Sequence, residues 1–391
     1  MRILIVNFAL LANHGGILQC YALQEVLRGM GHKVIKAELH PKFRLTLHQV
    51  LVIVKRALVR TFITKKSTPI LYEYNQDKPR KIVCQNTDKF IKKYLKLKRV
   101  NNMSELNGDD YDAIIVGSDQ IWRRLCYEPL LTNKSSNDNA FLAFTDGWNC
   151  RRIAYAASFG VDYWEYNDEE TIVIKELIRK FDAISVREDS GVNLIHKHLG
   201  ADLNITHLLD PTLLLDKEDY IKLFEKAGTK VSEGNLLVYV LDSTDEKRRI
   251  ISQTAVTLAR KPFNVNNPSY DNWSLPPEQR VQTPIELWLR GFYDAEYVVT
   301  DSFHACVFSI IFEKPFTVIV NEYRGVARIL SLLRVFGLED RIVESLQDVQ
   351  RVPLTIDWGK VRILKHSLVQ VSRKWIEEAL RGKACTQITP D

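Results

Sequence analysis

The sequence predicts an α/β protein built from two Rossmann-like, parallel-sheet domains that face each other across a cleft. Three observations carry this. Short apolar runs rich in β-formers alternate with stretches of helical spacing, the pattern of β-α-β units. The alternation pauses at Asp210–Asp216 and then restarts, which divides the 391 residues into 1–209 and 210–391. Polar clusters recur at the ends of the predicted strands in both halves, and in open α/β sheets that edge is where ligands bind.

The elements follow in order. Arg2–Phe8 reads as a buried first strand. The loop through Asn13, His14, Gly15 and Gly16 leads into helical spacing over Ile17–Met30, closed by Gly29 and Gly31. His32–Ala37 is the next strand. Two adjacent glycines let a ligand approach the backbone, or simply make a tight turn. The loop lacks GxGxxG, so no dinucleotide fingerprint is present. Lys42–Lys66 differs from its surroundings: it is basic, has no acid, and mostly follows helical spacing. Such a stretch suits either an anionic membrane surface or a solvated face over a packed stripe.

Asn75–Asn107 is polar and helical in parts. Ala113–Gly117 is a strand ending in Ser118, Asp119 and Gln120. Phe141–Phe144 and Arg152–Ala157 are expected as strands, the second ending in Ser158-Phe159-Gly160. Glu169–Phe181 is a helix, Ala183–Val186 a strand running straight into Arg187, and Val192–Leu199 a helix. Ile205–Leu209 leads to the junction.

In the second half, Tyr220–Lys226 and Asp245–Leu258 are helical around a strand at Leu236–Leu241, and Pro284–Phe292 is a further helix. Tyr297-Val298-Val299 opens a buried strand that breaks at Thr300-Asp301-Ser302-Phe303-His304, and helical spacing resumes at Ala305. Asp301, Ser302 and His304 therefore stand at a strand–helix edge, where free N–H groups and the positive dipole end suit an anion. The competing reading makes Asp301 or Ser302 an N-cap and His304 a structural histidine. Pro315 ends that helix, and Phe316–Val320 is the next strand, followed by a loop with Asn321 and Arg324. Arg328–Phe336 and Ser367–Leu380 are helices, the latter with Trp375 on its apolar side.

Composition narrows the classes. With 46% apolar and 26% charged residues the chain resembles an ordinary globular protein. A net charge of +6 agrees with anionic partners, and no nucleic-acid-binding motif appears, so no nucleic-acid partner is expected. The six cysteines form no CxxC pair, which argues for reduced thiols and against a zinc site. No apolar run approaches the roughly 20 residues of a membrane span, and a cytoplasmic location is expected. There is no HExxH, P-loop or GxSxG. The strand-end clusters pool a histidine, arginines, hydroxyls, a carboxylate and glycine backbone. Arginine forks with hydroxyls suit phosphate and carboxylate, and a histidine suits proton transfer near neutral pH.

The ordered set NHGGILQCYALQ, VGSDQIW, YAASFG, SVREDSG, LDPTLLL and TDSFHACVFSIIFEKPF resembles the polysaccharide pyruvyl transferase family, from Met1 to about Arg341. The resemblance implies a glycosyltransferase-B-like pair of domains. It also implies transfer of a pyruvyl group from phosphoenolpyruvate to two hydroxyls of a sugar, giving a ketal, with no cofactor. The acceptor would be a surface-polysaccharide precursor, carried on a lipid at the inner face of the membrane if Lys42–Lys66 docks there. His304 matches the family's histidine and Arg187 its first-domain arginine. Some members carry arginine two places before the histidine, where this chain has Ser302; Arg324 or Arg328 would then supply the charge. Asp301 joins His304 as a catalytic candidate. Asn13, Gly15, Gly16, Ser118, Asp119, Gln120, Ser158, Ser302 and Asn321 complete the expected binding edge. A nucleotide-sugar glycosyltransferase of the same architecture, or a silent glycan- or membrane-binding member, are the alternatives.

Overall fold

The computed structural model describes residues 1–39, 77–127, 135–270, 272–321 and 325–382. The basic stretch Lys42–Lys66 and Arg324 lie outside the described residues.

Two all-parallel sheets organise the chain. The first has seven strands in the order β3-β2-β1-β4-β5-β6-β7. They are β1 (Arg2–Val6), β2 (Lys33–Leu39), β3 (Leu97–Val100), β4 (Ala113–Gly117), β5 (Arg151–Ala157), β6 (Ala183–Val186) and β7 (Ile205–His207). The second has five strands in the order β12-β11-β10-β8-β9. They are β8 (Leu236–Tyr239), β9 (Pro262–Phe263), β10 (Tyr297–Thr300), β11 (Phe316–Ile319) and β12 (Ile342–Val343). The central strands are apolar on both faces because helices cover both, so Ile3, Leu4, Ile5 and Val298, Val299 are wholly buried.

Each sheet has one place where the chain reverses its direction of travel across the strands. In the first it lies between β1 and β4, which pair in register from Ile3 with Ala113 to Val6 with Val116. In the second it lies between β8 and β10, paired from Tyr297 with Leu236 to Thr300 with Tyr239. The loops leaving adjacent strands there diverge to opposite faces and leave a crevice at the carboxyl ends. Asn13–Gly16 and Ser118–Gln120 flank the first crevice, and Asp301–His304 flanks the second.

The chain returns at its end to the first sheet. The helix Trp358–Arg381 buries Trp375 against Tyr155 of β5, and the Trp375 Nε1–H donates to Thr206 Oγ1 at 3.2 Å. Arg151 Nε–H donates to the Ala379 carbonyl at 2.9 Å. One apolar core accordingly runs through residues of both halves.

Two local readings are corrected. Phe141–Phe144 is not a strand. Leu142 takes the left-handed conformation, φ 61°, and Phe141 stacks on Trp122 with ring centroids 5.3 Å apart, so the apolar run plugs the space beside the sheet. Conversely, Leu97–Val100 is the edge strand β3 although its middle is Lys98 and Arg99; an edge strand tolerates exposed cations, which hides it from apolar patterning.

Candidate functional site

The site forms where the two crevices meet. On the second sheet, β10 ends at Thr300 and the helix Phe303–Ile311 begins within two residues. Ser302 has extended backbone, φ −111°, and its side chain caps nothing; its N–H donates to Thr300 Oγ1 at 3.0 Å. The short turn places His304 in the first turn of the helix, 7% exposed.

The first sheet supplies the opposite wall. Asn13 caps the helix His14–Gly29 by accepting from Gly16 N–H at 3.3 Å. A Cβ built on Gly15 would fall inside the imidazole of His304, so backbone from the first half lies directly on the ring. One built on Gly16 would lie 3.4 Å from Asp119 Oδ2. Ser118 and Asp119 both have left-handed backbone, φ 47° and 59°. For non-glycine residues this conformation costs about 1 kcal/mol or more each, and it persists only where its surroundings fix it. Here Ser118 Oγ accepts from Gln19 Nε2 at 2.7 Å, and the Asp119 carbonyl accepts from Ser158 N–H at 3.1 Å. The strained turn aims the Asp119 carboxylate into the cleft.

Asp210 is the hub of the buried charges. It is 1% exposed. Its Oδ1 accepts from Thr212 N–H at 3.0 Å and Thr212 Oγ1 at 2.7 Å. Its Oδ2 accepts from Gln19 Nε2 and from Arg187 Nη1 at 3.0 Å, and lies 3.8 Å from His304 Nε2. Arg187 is itself buried, with its guanidinium 4.3 Å from the centre of the Phe303 ring. Its Nη2 approaches Asp119 at 3.8 Å, and among the described residues its Nε and Nη2 have no hydrogen-bond acceptor. Arg328 lies 5.7 Å from the same ring and 3.9 Å from Asp119 Oδ1. Two guanidinium groups thus flank one phenyl ring beside one imidazole.

Burial sets the titration of these groups. It pushes His304 down to about 4, against the pull of Asp210 and Asp119 and with the help of the neighbouring arginines. Arg328 falls to about 10, through burial and then through the charge of Arg187. Burial would raise the Asp210 carboxyl, but His304 and Arg187 outweigh it and hold it below its ordinary value. At neutral pH the site therefore presents a neutral imidazole beside two guanidiniums. An anion placed there would relieve their repulsion and raise the affinity of His304 for a proton.

The other expected residues divide. Gln120 packs at Gly160, where a Cβ would lie 2.6 Å from the Gln120 amide, and its Oε1 accepts from Arg123 Nη1 at 3.4 Å. Gly325, φ +85°, has no room for a side chain because it lies on the Gly160 carbonyl, so the loop after β11 closes onto the first sheet. The Ser158 hydroxyl is buried without a partner among the described residues. Asp301 and Asn321 do not join His304. Asp301 Oδ1 accepts from Leu241 N–H at 2.7 Å, and Oδ2 from Asp242 N–H at 3.3 Å, Lys247 Nζ at 2.7 Å and Asn321 Nδ2 at 2.9 Å. That carboxylate is fully used in tying β8, β10 and β11 together.

Three residues that the sequence reading did not single out prove central. Asp210 was visible as a junction marker and inside LDPTLLL, without a role; an acid within the largely apolar Leu208–Leu215 run was the available signal. Glu188, wholly buried, accepts from Phe159 N–H at 2.7 Å and Gly160 N–H at 3.1 Å and so fixes the loop after β5. Phe303, near both arginines, was read only as part of the break before helical spacing resumes at Ala305, whereas the helix begins at Phe303 itself. Among the described residues no group of three or more His, Cys, Asp or Glu is placed to hold a metal ion.

Comparison with solved structures finds sucrose-phosphate synthase from Thermosynechococcus elongatus, at 11% identity over 97% of each chain and TM-score 0.47. It also finds UDP-GlcNAc 2-epimerase from Neisseria meningitidis, at 10% identity, 97% of this chain and 100% of that one, TM-score 0.47. Likenesses at this level carry no functional weight. No curated protein matches the chain in sequence. A family model described as polysaccharide pyruvyl transferase matches residues 13–323.

Proposed function

The chain belongs to the polysaccharide pyruvyl transferase family, and from that premise we propose that it moves the pyruvyl group of phosphoenolpyruvate onto two hydroxyls of one sugar in a lipid-linked surface-polysaccharide precursor, forming a cyclic ketal and releasing phosphate. The observation that carries this reading is the pair of buried guanidiniums around Phe303, with two Arg187 donors unused beside a neutral His304. Phosphoenolpyruvate carries a phosphate and a carboxylate on one small carbon frame, which is the charge such a pair would neutralise.

The chemistry balances with the chain's own groups. In the addition step the first sugar oxygen bonds to C2 of the enol as its O–H bond breaks, and that proton is passed to the methylene carbon C3. His304 is the relay for that proton: neutral by itself, it gains proton affinity when the polyanionic donor settles beside Arg187 and Arg328. Phosphate then leaves C2 with the electron pair of the C–O bond. The second hydroxyl attacks the resulting oxocarbenium-like carbon and gives its proton to the departing phosphate, closing the ring. Asp210 holds Arg187 and faces His304, so it steadies the imidazolium while it exists. Gly15, Gly16 and Ser302 supply backbone at the two helix starts. Asp301 holds the wall and takes no part in proton transfer.

The hinge of this two-domain enzyme would lie at Asp210–Asp216. Among the described residues no helix is long and apolar enough to cross a membrane, so a lipid-linked acceptor would be met at the surface, with Lys42–Lys66 as the contact. The test is phosphate release from phosphoenolpyruvate with a panel of lipid-linked and nucleotide-linked sugars. Release that depends on an acceptor is expected. Release of nucleotide from a sugar donor would replace this reading with glycosyl transfer. No release, together with no thermal stabilisation by phosphoenolpyruvate, would point to a silent binding member.

A further inference from the structure

The two arginines of the site are carried by different halves of the chain. Arg187 follows β6 of the first sheet directly. Arg328 stands in the first turn of the helix Ala327–Phe336, which comes after β11 of the second. A small polar seam joins these two supports.

The helix Ala327–Phe336 buries Ile329, Ser331, Leu332, Leu333 and Phe336, so Ser331 brings one hydroxyl to an otherwise apolar face. It is 1% exposed. A buried hydroxyl costs free energy unless it finds partners, and Ser331 finds them on the first half. Its Oγ accepts from Asp189 N–H at 3.1 Å. Asp189 opens the helix Asp189–His198, two residues after Arg187. The same oxygen lies 3.4 Å from His207 Nε2, at the end of β7. His207 Nε2 in turn meets the Arg187 carbonyl at 2.9 Å. A carbonyl can only accept, so this nitrogen carries the proton. At the rim, Arg334 Nη1 donates to Asp189 Oδ2 at 2.7 Å. That pair is half-exposed and adds little by itself.

The main chain around Arg187 is thereby tethered three times. Its N–H donates to the Ala157 carbonyl at 3.1 Å, its carbonyl accepts from His207, and the Asp189 N–H ends on Ser331. The first two tethers belong to the first half, and the third comes from the second half. We propose that Ser331 is a positioning residue for the donor: it fixes the Arg187 main chain against the second half, so that the guanidinium is presented to an anion at one place beside Phe303 and His304. This rests on reading Arg187 as a donor contact, and Ser331 acts through Arg187. A planar fork is directional, so a small shift of its backbone misdirects it. An ammonium on a flexible stem tolerates such a shift. That difference makes the role measurable.

The test is a double-mutant cycle on the full chain, read by calorimetric titration with phosphoenolpyruvate and, separately, with inorganic phosphate. S331A should unfold as cooperatively as the parent and raise the Kd for phosphoenolpyruvate about fivefold. R187K should raise it about tenfold. The double variant should bind no more weakly than R187K alone, whereas independent effects would multiply to about fiftyfold. R187Q, which has no cation to position, is the second background and should be equally indifferent to S331A. An S331A Kd equal to that of the parent, or a multiplied loss in either background, makes Ser331 a packing residue and overturns the proposal. If inorganic phosphate binds with the same non-additivity and phosphoenolpyruvate does not bind, the positioning stands and the pyruvyl-transfer reading alone falls. Binding of neither anion by the parent overturns both.

Discussion

Asp301 and His304 lie three residues apart at the end of one strand, and they sit in opposite kinds of environment. The Asp301 carboxylate receives four hydrogen bonds, from Leu241, Asp242, Lys247 and Asn321. Around His304 the polar groups are left incomplete: its own Nε2, and Nε and Nη2 of Arg187, find no hydrogen-bond partner among the described residues. A buried donor without an acceptor costs about 1–3 kcal/mol, more when charged, so such groups call for a partner, an ordered water or a ligand. A saturated cluster can only hold the structure; an unsaturated one has donors to spare for the ligand proposed here. From sequence the two looked alike, as a run of polar residues at a strand end.

The sharpest way to break this comparison is to exchange the two roles. His304→Ala should fold normally and lose turnover by about 10²–10⁴-fold, the usual worth of a general acid–base. Near-normal phosphate release in that variant would make the imidazole structural and the contrast false. Asp301→Ala should do the reverse. It strands the Lys247 ammonium, which is 9% exposed in its side chain, together with two backbone N–H groups. Breaking such a buried pair costs about 3–5 kcal/mol, to be read by denaturant unfolding, while activity per folded molecule stays close to normal. If Asp301→Ala kept its stability and lost its turnover, the knot would be part of the chemistry.

How much of this was legible beforehand follows from where the partners lie. The bounds of Ala113–Gly117 and Ala183–Val186 match the strands found, because a buried parallel strand is apolar throughout and ends sharply. Arg187 and His304 could be placed at an edge by the same logic. Asp210 could not be recognised as their anchor, since its partners Gln19, Arg187, Thr212 and His304 come from four separate places, and no local pattern encodes such a meeting. Asp301 failed for the complementary reason: what occupies its oxygens lies some sixty residues upstream in Leu241 and Asp242.

A gentler change sharpens the comparison at the cation. Arg187→Lys keeps a charge near Asp210 but replaces a planar fork that divides its donors between Asp210, at 3.0 Å, and the side of Asp119 and Glu188, 3.8 and 4.0 Å away. An ammonium cannot face both directions in one plane. The KM for phosphoenolpyruvate should rise about tenfold, roughly 1.4 kcal/mol, with little change in the acceptor KM. An unchanged donor KM would show that Arg187 only braces Asp210.

A last comparison concerns two buried histidines. His14 and His304 are both held down to about 4 by burial. Neutral His14 donates Nε2–H to the Thr283 carbonyl, its Nδ1 has no partner among the described residues, and its ring stacks on Trp288 at 5.8 Å; nothing receives a second proton. In the unfolded chain each titrates near 6.5. Between 6.5 and 4 the unfolded state binds protons that the folded state refuses, so stability should fall as pH falls through that window and be unaffected above it. Each histidine can contribute up to roughly 3 kcal/mol to the loss. Thermal unfolding from pH 7.5 to 4.5 should therefore slope less in His14→Asn and in His304→Ala than in the parent. Phosphoenolpyruvate separates the two. Its negative charge beside His304 raises that group alone, so saturating donor should flatten the acid slope of His14→Asn and leave that of His304→Ala unchanged. Equal flattening in both variants would mean that the donor binds away from His304, and the contrast between the open and the closed cluster would lose its functional meaning.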